Sequence, residues 1–258
     1  NVLDNYSDGY SGGLHFNAGT LEMDNVYFYL NEANSSWGAI NIEQVTSLSM
    51  HNTRFHSNGN QTANNNGAGT IFGVSDGTLS EIEVIDNGAP GGENGGLKIE
   101  SSNLTIDDII FKDNQCLHHN VALDIRSSTV DIDKLLVTGH NYVGNLYAGQ
   151  SVIGIYDSDV NISNATIVDN DFSNGGAFET YGIRLSSGSS LTMTNSILRD
   201  NNTLDIFAVD DDSDHTINIA YSDVNVELLN NSNLYCPGEN CSYSVGLGNF
   251  DEDPEFVD

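Results

Sequence analysis

The residues whose types and spacing could do chemistry are few. Lys98-Ile99-Glu100 and Asp124-Ile125-Arg126 are two tripeptides of opposite charge order, 26 residues apart, and Arg184 stands between two apolar residues in Ile183-Arg184-Leu185. A cation beside a carboxylate can move a proton, hold an ionic ligand or neutralise its neighbour, and neutralisation is the commonest use of such a pair. A second group is the run Asp210-Asp211-Asp212-Ser213-Asp214. Dense carboxylates on one turn either bind a cation or repel each other, and calcium accepts six to eight oxygens at flexible angles. The run lacks the glycine and spacing of a helix-loop-helix calcium loop, so a solvated acidic turn is the plainer reading. A third group is aromatic: Trp37, Tyr142, Tyr147, Phe172 and Tyr181, with Tyr6, Tyr10 and Phe178, fall in the longer connections. Such rings suit the apolar faces of sugars, and packing under their own loops is the alternative.

Composition limits what these groups can serve. The chain has 258 residues, 37 acidic and 7 basic, for a formal net charge of −30. Seven scattered cations cannot offset that field against phosphate, which argues against a nucleic-acid partner. No apolar run approaches the length of a membrane-spanning helix. With 38% hydrophobic residues at regular positions, the chain can nevertheless bury a core.

That regularity is a repeat. Taking Asn31, Asn58, Asn87, Asn114, His140, Asn170 and Asn201 as endpoints, the residue eight positions earlier is Met23, Met50, Leu79, Ile106, Ile132, Ile162 or Met193. Three positions before each endpoint stands Phe28, Phe55, Val84, Phe111, Val137, Ile167 or Leu198. Alternating runs precede these columns, from Leu14-His15-Phe16 through Phe72-Gly73-Val74 and Leu123-Asp124-Ile125 to Phe207-Ala208-Val209. Alternation marks strands, and endpoint separations of 26 to 31 residues leave room for three short strands per coil, without a helix. Stacked coils bury one continuous apolar column. The Asn residues would then occupy equivalent turns, where side chains hydrogen-bond to one another and to unpaired backbone. They are expected to be structural, with His140 in the same slot. Outward positions of the first strand are expected to be His15, Asn41, Gly73, Lys98, Asp124, Gly154, Arg184 and Ala208; those of the second run from Glu22, Ser49 and Ser80 to Thr192.

The repeat resembles right-handed single-stranded parallel β-helix proteins, a group that includes secreted polysaccharide lyases, glycoside hydrolases, adhesins and autotransported passenger domains. The expected architecture is all-β, with about eight to nine coils over residues 1–224. A closing segment over 225–258, with Tyr221-Ser222-Asp223-Val224 before it and Gly248-Asn249-Phe250-Asp251 to Asp258 in it, looks like the end of bacterial secreted β-helix proteins. In the lyases, the resemblance implies a groove along the first strand, acidic residues for calcium and a Lys or Arg as base. Lys98, Asp124 and Arg184 are the candidates for that chemistry. One outward Asp is thin for a calcium cluster, and Gly73 and Gly154 leave bare positions on either side. Cys236-Pro-Gly-Glu-Asn-Cys241 is a turn whose ends could form a disulfide, and Cys116 is expected to be a buried, unreactive side chain. The expectation is a non-catalytic, extracellular or cell-surface rod without cofactor or with calcium, joined to other domains and touching glycans. The alternative is a lyase-like carbohydrate-active enzyme.

Overall fold

The computed structural model describes every residue except 10, 35–36, 60–66, 90–91, 93, 117–118, 143–149, 171–179, 200, 202–203, 210–212, 225–233, 236–240 and 250–258. Among the described residues there is no helix, and every pairing between strands is parallel. The chain is a parallel β-solenoid. Leu14, Ile40, Gly69, Leu97, Leu123, Ile153, Ile183 and Ile206 are successive partners in one ladder, so about seven turns join them. The eight to nine coils expected from the repeat are therefore slightly too many, because eight equivalent positions enclose seven turns. The ladders also run on past Val224: Cys241–Val245 pairs with His215–Ile219.

Where all three corners of a coil are described, it bends twice between its strands and once after the third, at a residue in the left-handed region. Ser101 (φ 51°), Asp108 (61°) and Asp113 (53°) mark the three corners of one coil. Ser127, Lys134 and Gly139 mark those of the next. A non-glycine residue in this conformation costs about 1–2 kcal/mol, and side-chain ladders at the corners offset it. Asn58 Nδ2 donates to Asn87 Oδ1 (3.0 Å), Asn87 Nδ2 to Asn114 Oδ1 (3.0 Å) and Asn170 Nδ2 to Asn201 Oδ1 (2.7 Å), while Asn31 joins Asn58 at 2.9 Å. His140 fills its place in the column, accepting the Asn114 backbone N–H at Nδ1 (3.0 Å). A serine ladder, unforeseen in the sequence reading, holds the corner after the first strand. The backbone N–H of Ser102 donates to Ser128 Oγ, that of Ser128 to Ser158 Oγ, and that of Ser158 to Ser189 Oγ. Ser196 and Ser222 serve the corner after the second strand in the same way.

Inside run the expected columns, Met23 to Met193 and Phe28 to Leu198, all buried and in register. Phe28 and Phe55 stack at 5.1 Å. Cys116 is buried among them.

Three register assignments differ from the sequence reading. The third coil pairs through Gly69-Thr70-Ile71, so Thr70 and not Gly73 faces outward; Gly73 lies at a bend with φ 68°. Near the end, Ile206 and Ala208 pair with Ile183 and Leu185, which turns Phe207 outward in place of Ala208. On the second strand Thr78, not Ser80, aligns with Ser49 and Thr105. A slip by an odd number of residues exchanges the faces of a strand, as in the first two cases, whereas Ser80 lies two residues from Thr78 and keeps its face; glycine at an inward position conceals the register of the third coil.

Candidate functional site

The charged cluster lies on the outward face of the first strand, as its spacing predicts. Lys98 aligns with Asp124 and Glu100 with Arg126 across neighbouring coils. The closest ion pairs, however, run along each strand. Lys98 Nζ lies 2.5 Å from Glu100 Oε2, and Arg126 takes Asp124 as a fork: Nε donates to Oδ1 and Oδ2 at 3.1 and 3.0 Å, and Nη2 reaches Oδ2 at 2.9 Å. Residues i and i+2 project on the same side of a strand, and a guanidinium matches both carboxylate oxygens where an ammonium cannot. Asp124 is completely buried. Burial pushes its carboxyl above the ordinary carboxylate value, and the charges of Arg126 and then Lys98 oppose that push.

A network of polar side chains continues from this pair. The Arg126 guanidinium stands 5.0 Å from the centre of the Tyr156 ring and that of Arg184 5.4 Å, and Arg184 Nη1 donates to Tyr156 Oη at 2.9 Å. Asn120 Nδ2 donates to the same hydroxyl at 3.3 Å, and Asn120 Oδ1 accepts from Ser151 Oγ at 2.5 Å. The bare position at Gly154 is filled, since a Cβ there would collide with the Asn120 amide. Tyr156 and Asn120 were missed from the sequence. Tyr156 was legible, because it follows Gly154 by the same two residues that separate Asp124 from Arg126; Asn120 was not, because a register shift between Asn120 and Leu123 breaks the alternation.

Among the described residues much of this face is buried, while His15 is exposed and Lys98 and Arg184 are half-buried. Asn41, Thr70, Asn120, Asp124 and Ser151 are buried, and Asn41 Nδ2 is engaged by Glu43 at 2.7 Å. Tyr181 is also buried, its ring stacked on Phe207 at 4.1 Å and 6°, so that face is unavailable to a sugar. Trp37 is half-buried, and its carbonyl accepts the Gly12 N–H. Tyr142 lies in the short strand Asn141–Tyr142, paired with Gln115–Cys116, and its side chain is outside the described residues. Tyr147, Phe172, Tyr10, Phe178, Asp210, Asp211, Asp212 and Cys236 also lie outside them.

For calcium the described donors fit poorly. Both oxygens of Asp124 belong to Arg126, Asp214 is exposed, and among the described residues no group of three His, Cys, Asp or Glu side chains converges. Comparison with known protein families, with curated proteins and with solved structures gave no match to this chain.

Proposed function

We propose that this chain is a non-catalytic, rigid segment of a larger secreted or surface-anchored protein of the bacterial β-helix type, presenting its aromatic loop edge to glycans. One observation carries the reading: Lys98 and Asp124, the residues best suited to catalysis, are each engaged by an oppositely charged residue two positions along their own strand. A base for proton abstraction needs a free lone pair within reach of substrate, whereas Lys98 is bound by Glu100 and the buried Asp124 by Arg126. Continuous side-chain ladders at the corners support a rod that keeps its shape under load.

The second reading, a carbohydrate-active enzyme on the outward first-strand face, is favoured by Arg184. Its Nε is buried without an acceptor among the described residues, as a group awaiting an anionic ligand would be. Incubation with uronate polymers and calcium, followed by ultraviolet absorbance of unsaturated products, separates the two. Release of product that Lys98→Ala abolishes would overturn the structural reading; no release, with retention on a glycan array, is the expected result.

A further inference from the structure

We propose that the outward face of the third strand in the first two coils, Tyr27–Tyr29 and the residues Arg54 to His56 that pair with it, binds an acidic sugar residue. This site goes beyond the loop-edge contacts above and uses none of their residues. A cleft of about 600 Å³ opens there, lined by Asn1, Asn25, Tyr27, Asn52, Arg54 and His56, with Val26 between them, a size that takes one or two sugar rings. Tyr27 pairs with Arg54 and Tyr29 with His56 on adjacent coils, so the four side chains share one patch. The two tyrosine rings stack at 5.6 Å and 15°, and the His56 ring meets Tyr27 edge-on at 5.3 Å. Glu83 holds His56 Nε2 at 3.1 Å, which fixes that edge in place.

Glu83 also meets Arg54, but at Nε and only at 3.4 Å. The terminal guanidinium nitrogens of Arg54 have no ion-pair partner among the described residues, and half of the side chain is exposed. Arg54 is thus a cation with an unused fork, in a protein with 37 acidic and 7 basic residues. A fork of that kind recognises a carboxylate by two parallel hydrogen bonds. The neighbouring tyrosine supplies an aromatic surface for the apolar face of the ring that carries it. Asn52 Nδ2 donates to Asn25 Oδ1 at 2.6 Å, which leaves the second Asn52 proton and its oxygen for sugar hydroxyls. Further along the same face one column reads Glu83, Ile110, Leu136 and Thr166 and the other Ile85, Lys112, Thr138 and Val168, so a second cation occurs there but without an aromatic ring beside it.

Calorimetric titration of the 258-residue chain with a short oligogalacturonate, and with a neutral cello-oligosaccharide of equal length, tests the assignment. The acidic chain should bind saturably and more tightly than the neutral one. Arg54→Gln should weaken the acidic chain by about tenfold, to the level of the neutral one, as loss of a charge-assisted pair implies. Tyr27→Ala should weaken both, with thermal unfolding as a check of its fold; Arg54 is exposed enough that its variant folds and decides alone if Tyr27→Ala does not. Equal affinity for both sugars, no saturable binding, or acidic-chain affinity unchanged in Arg54→Gln would overturn the site. Binding lost in Trp37→Ala but kept in Arg54→Gln would do so too, while leaving the loop-edge reading in place.

Discussion

His140 is the member of the Asn column that titrates, and its chemistry sets a pH limit on the fold. Complete burial pushes its imidazole from 6.5 down to about 4, against the pull of the Asn114 and Phe111 backbone groups. The unfolded chain therefore binds a proton that the folded one refuses, and stability falls as pH drops from 6.5 towards 4. At about 1.4 kcal/mol per unit the loss reaches roughly 3 kcal/mol. His140→Asn should complete the ladder and flatten the pH dependence of the urea midpoint across that window; an equally steep dependence would remove His140 as its cause. Asn114→Leu or Asn170→Leu should lower stability by about 1–3 kcal/mol, since the carbonyls of Val84 and Val137 lose their donors. Arg126→Leu should be worse at neutral pH, by about 3–5 kcal/mol, because a buried carboxylate loses its hydrogen-bonded partner and keeps only the more distant charge of Lys98. Its folded-state value is already raised, so protonation favours the fold as pH falls, and the deficit of Arg126→Leu should shrink in acid. Paired denaturation curves of wild type and variant at both pH values check the sign.

At the scale of the strands, glycine at inward positions decides which residues pair. Gly69 stands in the ladder between Ile40 and Leu97, and a Cβ there would meet the Ile40 carbonyl at 2.5 Å. Gly69→Val should therefore cost about 1–3 kcal/mol of overpacking, measured as a lowered thermal midpoint. Had Phe72 filled the slot, as alternation implied, the same change would be nearly neutral. The serine corners were legible in principle: Ser102, Ser128, Ser158 and Ser189 each stand twelve residues before Asn114, His140, Asn170 and Asn201. They do not stand out in the pattern because serine is neither apolar nor rare, whereas an Asn recurring after Phe or Val breaks a hydrophobic pattern. The patch at Tyr27, Arg54 and His56 is inconspicuous for another reason. Its members come from different coils, and outward third-strand positions follow no shared residue type.

For the whole molecule, −30 charges on a solenoid repel one another along its length. Raising salt from about 10 mM to about 150 mM shortens the screening distance from about 30 to about 8 Å, and the thermal midpoint should rise with it; a midpoint that falls would mean that specific ion pairs outweigh the general repulsion. The sequence by itself determined the repeat, the three-strand coil, the two buried columns and the structural Asn slot. Each of these follows from periodic burial, which a linear pattern records because every coil meets the same environment. Only the tertiary structure decided how the charged cluster is used. Lys98 and Asp124 are neighbours by register, yet bond geometry and burial join each to the residue two positions along its own strand. Side-chain reach, and the filling of Gly154 by Asn120, depend on where coils and bulges lie in space, and no spacing along the chain encodes them.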